Sequence, residues 1–580
     1  MKLNKEQNKI VNSEAKNILV IACPGSGKTF TIIKRYIHLV TKKGVNPNNI
    51  ILITFTKKAG MELKERINNY IPDKLPFYVG TLHSLAYKIL KDNGCTNTIL
   101  DDELNKEFIS DIVDELEPLY SKKDKLKNNL SLIFDKLYFN FDIDPNDILN
   151  KTDFNKEKDM IIKLFEEYKK RKIEQNLFSF SDLMMEFYKF LNSDKGTKIK
   201  EQIDYVFFDE YQDINKLQEK ILYTFNDNSN IMVVGDVCQS IYSFRGSDIS
   251  YISNFKNKYK SKIFKLTTNY RSTKNIVEFN KNILEHPHYS MNFNKKNKKG
   301  AKPKIKKCVD SNHVIDFIKK DIQKKIKKNN CKYSDFAILS RRRTHNNINK
   351  FDEIKNSFAK VGIPALEKSN LSLLLEKSHI NLFIALVIVK NNYKSKIHWK
   401  KILSCIPDID VNLILGHDDI LKYLETSEYS FIYKFMNLID NEINLENKIE
   451  LYLKLFCLLM HGNSKINDYI KDIKNLLSLI DGSNMTLLEY INEFYLSFEE
   501  NIGNNVSLDT IHGSKGLEWM FVYIIDCNDS EYRPFDKPYY TKDDIIQLEL
   551  EEHRLLYVGC TRAKRKLMIM YTKRLTEFIK

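Results

Sequence analysis

The stretch Ala22-Cys23-Pro24-Gly25-Ser26-Gly27-Lys28-Thr29 has the residue types and spacing of a phosphate cradle. Gly25 and Gly27 let backbone N–H groups close around phosphate oxygens, Lys28 brings a point charge to the outer phosphates, and the Thr29 hydroxyl can ligate Mg2+. Ala22 stands where the usual pattern has its first glycine. Downstream, Asp209 and Glu210 are adjacent after an apolar run and divide a second task. Asp209 can hold Mg2+ through water, and Glu210 can take a proton from an attacking water. Gln239 could sense a terminal phosphate, and Tyr242, Phe244 and Arg245 follow it within six residues. Two aromatics and a guanidinium at that spacing join a nucleotide site to a base-stacking platform.

Such side chains meet only if short strands deliver them to one edge. Residues 18–21 read as a buried strand that runs into the cradle, and a helix-like segment follows from Phe30 to Val40. Residues 50–53 read as a second strand ending at Phe55, which can stack a base and is equally at home in a core. A third strand-like piece ends in Gly80-Thr81-Leu82-His83-Ser84, and the runs 205–208 and 231–234 lead into Asp209 and Gln239. Ligands of open parallel sheets bind at the carboxyl ends of strands, so these polar termini agree with one another. Gln7, just upstream, carries an amide that can donate to and accept from an adenine edge at once. Between Lys91 and Phe190 the pattern turns to helical periodicity without a strand signal, as an inserted helical domain would. Arg341-Arg342-Arg343 follow another strand-like run, where they could touch phosphates or form an exposed basic turn.

The chain has 580 residues, so about three to five domains are expected. Its net charge of +16 suits a polyanion, although Lys and Asn are abundant throughout and basic runs are commonly solvated loops. Arginine is the more telling cation: only thirteen occur among 92 basic residues, which points to places where a planar, bidentate donor is required. Arg35, Arg271 and Arg562 are among them, with Arg271 in a polar turn before a helix. The nine cysteines form no CxxC pair or Cys/His cluster, which argues against a zinc site, an iron–sulfur cluster or a disulfide framework. No secretory leader pattern opens the chain, and its longest apolar run, residues 382–389, falls short of the roughly twenty residues a membrane span requires. A cytoplasmic protein is expected.

With Ile511-His512-Gly513-Ser514-Lys515-Gly516-Leu517-Glu518-Trp519 and the segment from Glu552 through Thr561-Arg562-Ala563, the motifs fall in one order across residues 3 to 566. In that order they closely resemble the superfamily 1 helicases of the UvrD, Rep and PcrA type. The resemblance implies an α/β fold of two RecA-like P-loop domains with parallel sheets, each carrying a mostly helical insertion. The first would combine residues 1–90 and 192–265 around an insertion at 91–191. The second would combine 266–398 and 499–580 around a reduced insertion at 399–498.

The same resemblance implies an ATP-dependent 3′-to-5′ translocase that unwinds tailed duplex DNA, with ATP and Mg2+ as its cofactors. The catalytic set would be Lys28, Glu210, Gln239, Arg271 and Arg562, the two arginines closing on the site from the second domain. ATP would be held by Ala22 to Phe30 and Arg35, with Tyr270 stacking on adenine, Gln7 reading its edge and Glu518 contacting the ribose. Single-stranded DNA would cross both domains over Phe55, Thr81, His83, Tyr242, Phe244, Arg245 and His512, the family often having Trp where Phe244 stands. The short 399–498 insertion and the short stretch after Ala563 also resemble the small GajB partners of Gabija anti-phage systems. An alternative expectation is therefore a DNA-sensing ATPase subunit with a nuclease partner.

Overall fold

The computed structural model describes the chain except residues 1, 153, 244–245, 285–290, 330, 346–347, 368–373, 443, 481–485, 487, 490, 493–502, 534–541 and 580. Its first sheet has six parallel strands: β1 Ile18–Ala22, β2 Ile50–Thr54, β3 Tyr78–Thr81, β4 Tyr205–Phe208, β5 Asn230–Gly235 and β6 Lys262–Leu266. They lie in the order β3-β2-β4-β5-β1-β6. Alternation of side chains explains why such runs are apolar throughout. Leu19, Ile51, Ile53, Val206 and Phe208 enter the core on one face, while Ile18, Val20, Ile50, Leu52 and Phe207 enter the core on the other.

The second sheet is also six-stranded and parallel: β7 Lys304–Lys307, β8 Phe336–Ser340, β9 Ala365–Leu366, β10 Val506–Thr510, β11 Trp519–Ile524 and β12 Ala563–Tyr571, in the order β7-β12-β11-β8-β10-β9. Ala337, Leu339, Val522, Ile524, Leu567 and Ile569 belong to the same apolar cluster as Leu19 and Val206. One continuous core therefore joins the two sheets, with Leu555, Leu556 and Val558 of the helix Lys542–Thr561 inside it.

Each sheet is interrupted by helices with a core of their own. Helices Asp102–Leu116, Lys123–Phe139 and Lys158–Glu174 pack around Ile109, Phe134 and Phe165. The second helical core runs from Leu374 to Ile491, so the helix Ser378–Asn391 packs with the insertion rather than with the second sheet, where a border at 399 would have put it. The two insertions touch: Asn392 Nδ2 donates to Thr98 Oγ1 at 3.1 Å and to the Gln175 carbonyl at 2.9 Å, and Lys400 pairs with Asp111 at 2.8 Å. Among the described residues no helix is long and apolar enough to cross a membrane; the run 382–389 is buried in the insertion core.

Candidate functional site

The loop after β1 is clasped by the segment that follows β6. Cys23 N–H donates to the Leu266 carbonyl at 2.9 Å, Asn269 Nδ2 to the Pro24 carbonyl at 2.8 Å, and Tyr270 N–H to the Gly25 carbonyl at 2.8 Å. Gly25 and Gly27 have φ of +67° and +81°. A Cβ at Gly25 would stand 2.5 Å from Arg271 Cβ, so both conformation and space demand glycine. The helix Lys28–Lys42 then begins with no side chain capping its first amides, and Ser26 Oγ is buried without a hydrogen-bond partner. An uncapped N-terminus behind a glycine turn, with an orphaned hydroxyl and Lys28 beside it, fits a bound polyphosphate.

Opposite this loop, Lys28 Nζ lies 2.9 Å from Glu210 Oε1. Gln212 Nε2 donates to Glu210 Oε2 at 2.6 Å, and Gln212 Oε1 accepts from Asp236 N–H at 2.9 Å, so the carboxylate is held from two sides. Glu210 itself adopts φ of +54° in the left-handed region, a strained conformation for a residue with a Cβ. Burial pushes its carboxyl up, but the Lys28 and Lys515 ammonium groups outweigh burial and hold it well below the usual carboxylate range. Burial and the Glu210 charge push Asp209 the other way. Two adjacent carboxyls with opposed proton affinities can divide an acid–base task.

Gln239 comes from the carboxyl end of β5 and is buried. Its Nε2 is fixed on Asp236, and its Oε1 accepts from Arg562 Nη2 at 2.8 Å. Arg562 lies at the junction of the helix Lys542–Thr561 and β12, where it also donates to the Val558 carbonyl at 3.0 Å and the Leu517 carbonyl at 3.2 Å. Burial, with Arg271 nearby, pulls its guanidinium down to about 9. Arg271 pairs with Glu518 and donates to the Thr561 carbonyl at 3.4 Å, and Glu518 also holds Lys564 at 2.6 Å. Cradle, carboxylates and Gln239 on one sheet thus meet Arg562 from the other and Arg271 from the segment that joins the two.

Among the described residues no three His, Cys, Asp or Glu side chains converge as a metal cage. Thr29, in the first turn of the helix, and Asp209, after β4, are one hydroxyl and one carboxylate. That donor set suits Mg2+, which takes few protein ligands and completes its shell with phosphate oxygens and water.

Tyr270 is 39% exposed beside the cradle, its hydroxyl accepting from Asn4 Nδ2 at 2.7 Å. Gln7 caps the helix Lys5–Val11 through Oε1 and donates from Nε2 to the Ser26 carbonyl at 3.3 Å, which ties it to the cradle. Phe30 sits in the first turn of the cradle helix.

Arg35 does not join this group. It is buried, and its Nη1 donates to the carbonyls of Ile10, Val11 and Ser13 at 2.7, 3.2 and 3.1 Å, so it braces the end of the first helix. Thr81 is likewise redirected: its Oγ1 caps the helix Leu82–Asp92 by accepting from Ser84 N–H at 3.2 Å, and the residue is 6% exposed. The triple arginine is paired with carboxylates instead of forming a free basic surface. Arg341 makes a bidentate pair with Glu552, while Arg342 and Arg343 pair with Glu531 and Glu367.

Beside the nucleotide groups lies an aromatic face. The rings of Phe55 and Tyr242 stack with centroids 5.1 Å apart and 22° between planes. Tyr242 also faces His512 at 6.2 Å and donates its hydroxyl to the His512 carbonyl at 3.2 Å. His83 is edge-on to Phe180 at 6.0 Å. Phe244 and Arg245 lie outside the described residues. Sequence reasoning passed over Asp213 and Lys515, a buried pair placed between this face and Gln239. Lys515, the one lysine of the 511–519 motif, set between two small residues, was the available signal.

Comparison with known proteins places both halves of this geometry. Residues 3–260 match the UvrD/REP helicase N-terminal domain, and residues 264–474 and 463–574 match the UvrD-like helicase C-terminal domain. The chain is 28% identical to a probable DNA helicase II homolog of Mycoplasma pneumoniae, over 98% of this chain and 84% of that protein. It is 29% identical to the ATP-dependent DNA helicase Rep of Buchnera aphidicola, over 100% and 96% of the two chains. To the ATP-dependent DNA helicase PcrA of Staphylococcus epidermidis it is 27% identical, over 98% and 83%. These names lend no support to a nuclease-partnered defence subunit.

Proposed function

Because this chain belongs to the UvrD-like helicase family, we propose that it is an ATP-dependent DNA helicase that moves 3′ to 5′ along single-stranded DNA in the cytoplasm and opens tailed duplexes. The observation that carries the reading is the split site. Lys28, Glu210 and Gln239 stand on the first sheet, Arg562 reaches them from the second, and Arg271, in the segment that follows β6, is held against Glu518 and Thr561 of the second body.

Hydrolysis would proceed by in-line attack. Water forms a bond to the terminal phosphorus as the bond to the bridging oxygen breaks, and ADP leaves with that electron pair. Glu210 takes the proton of the attacking water. Phosphate oxygens compete with Glu210 for Lys28, so ATP frees the carboxylate for that task while Gln212 keeps it oriented. Lys28, Arg271 and Arg562 neutralise the charge that builds on the phosphoryl oxygens. Thr29 and Asp209 would hold Mg2+, which would supply further neutralisation of phosphate charge. Tyr270 offers its ring to adenine and Gln7 an amide to the base edge, as Glu518 offers a carboxylate to the ribose.

Since Arg562 belongs to the second body and Arg271 is paired to it through Glu518, loss of phosphate would weaken the attraction between the two bodies and let them part. Phe55 and Tyr242 would supply stacking faces for successive bases, and His83, Phe244, Arg245 and His512 further contacts to the strand, so opening and closing would advance it.

The test is ATP hydrolysis with and without single-stranded DNA, followed by strand separation on duplexes with a 3′ or a 5′ tail. DNA-stimulated hydrolysis and unwinding from the 3′ tail are expected. Faster unwinding from the 5′ tail would overturn the direction, and DNA-indifferent hydrolysis the helicase reading.

A further inference from the structure

We propose that Lys515 is a positioning residue that couples the nucleotide site to the DNA-stacking face, so that it sets how strongly DNA stimulates hydrolysis. This rests on the functional reading above. Lys515 lies in the 511–518 crossover between β10 and β11, and its ammonium group reaches out of the second sheet's body into the first. There it pairs with Asp213, the two side chains being 5% and 0% exposed. It also donates to the Gln239 carbonyl at 2.5 Å. The same nitrogen stands 4.9 Å from the centre of the Tyr242 ring and 6.0 Å from that of Phe55.

These contacts close a ring. From Gln239 the chain runs three residues to Tyr242, whose hydroxyl reaches the His512 carbonyl at 3.2 Å. From His512 it runs three residues to Lys515, which returns to Gln239. Half of the ring belongs to each sheet. On one side it reaches Arg562 through the Gln239 side chain and Glu210 through Asp213 and Gln212. On the other it carries the aromatic face.

A buried ammonium with a buried carboxylate cannot drift, because separating them strands both charges away from water. Gln239 therefore cannot shift with its nucleotide contacts unless Lys515 moves too, and Tyr242 is held to Lys515 both through the chain and through the cation above its ring. A base arriving on Tyr242 acts back along the same path, since coupling between two sites is reciprocal. A strut that merely stabilised the interface would affect hydrolysis with and without DNA alike.

The full chain, Lys515→Met and the double variant Asp213→Asn/Lys515→Met are compared for ATP hydrolysis without DNA and with saturating poly(dT), alongside poly(dT) affinity and thermal midpoint. The single variant leaves Asp213 buried and unpaired, whereas the double variant removes both charges and recovers stability. The stimulated-to-basal ratio is expected to fall about tenfold or more in both variants. A ratio within about twofold of the parent in the folded double variant overturns the proposal, as does a basal rate that falls by the same factor as the stimulated one. If the parent itself is not stimulated by poly(dT), the functional reading fails and this inference with it. If the parent is stimulated and the double variant keeps the ratio, only the role of Lys515 fails.

Discussion

Arg562 Nη2 donates to Gln239 Oε1 at 2.8 Å, from one six-stranded sheet to the other. The guanidinium is aimed before any phosphate arrives, because the Val558 and Leu517 carbonyls and the Thr561 hydroxyl take three of its other four N–H donors. An ammonium cannot serve that many acceptors in one plane. Arg562→Lys should therefore keep the fold and the ATP affinity but lower kcat about a thousandfold, the scale of a lost arginine finger. Steady-state hydrolysis checks it: a loss confined to KM would place Arg562 in binding rather than in the transition state.

Glu210 should separate binding from turnover. Glu210→Gln preserves shape and the contact with Gln212 but removes the proton acceptor, so hydrolysis should fall about a hundredfold to ten-thousandfold while ATP still binds. Lys28 loses its carboxylate partner in this variant, which leaves it free for phosphate, and ATP affinity should rise rather than fall. A fluorescent ATP analogue and a hydrolysis assay on the same preparation read both quantities. Turnover at the parental rate would remove Glu210 from the role of base.

Arg35 should behave as a structural residue. Its Nη1 serves three carbonyls where the first helix ends, and hydrogen bonds from a buried charge are stronger than neutral ones. Arg35→Met should destabilise the first sheet by about 3 kcal/mol, seen as a lower unfolding midpoint, while ATP affinity in the folded protein is unchanged. A weaker ATP affinity at an unchanged midpoint would return Arg35 to the nucleotide site.

Arg35 also shows where the sequence ceases to be legible. The cradle, the Asp209-Glu210 pair and Gln239 each follow a strand by a few residues, so local pattern alone delivers them to one edge. Arg35 and Thr81 sit among the same motifs, yet a guanidinium binds carbonyls as readily as phosphates and a threonine caps a helix as readily as it contacts DNA. Only the fold decides between those uses. Pairings across the chain are hidden altogether: Asp213 and Lys515 are 302 residues apart, and Arg341 and Glu552 are 211. The helix Ser378–Asn391 is buried along nearly its whole length, so it lacks the polar stripe that would have assigned it to the helical insertion.

The helical insertion should be acid-sensitive through His398. The residue is 1% exposed, its Nδ1 is 2.6 Å from Ser395 Oγ, and its Nε2 is buried without a hydrogen-bond partner. Burial, aided by Lys401, lowers its pKa to about 3. Below the unfolded value of about 6.5 the unfolded chain takes up a proton that the folded chain refuses, so stability falls as pH drops from there toward 3. Between pH 7 and 5 the loss is about 2 kcal/mol. His398→Gln should remove that portion of the acid shift in the unfolding midpoint, and an unchanged shift would assign it elsewhere.

Phe55 and Tyr242 allow stacking to be separated from charge. Their rings are stacked on each other and half-buried at the edge of the nucleotide groups. Stacking contributes about 1–3 kcal/mol per base, so Phe55→Ala and Tyr242→Ala should each weaken binding of oligo(dT) by about fivefold to a hundredfold. Tyr242→Phe keeps the ring and loses only the bond to the His512 carbonyl, and it should bind nearly as the parent does. Phosphate contacts release counterions and give affinity its dependence on salt, whereas a ring on a base neutralises no phosphate. The alanine variants should therefore lower log K by the same amount at every salt concentration, with the slope against log salt unchanged. Fluorescence titration at several salt concentrations reads both intercept and slope. A slope that became shallower by about one unit would mean that the substitution had displaced a cation from the strand, and the aromatic pair would then be a scaffold for that cation rather than the surface on which bases rest.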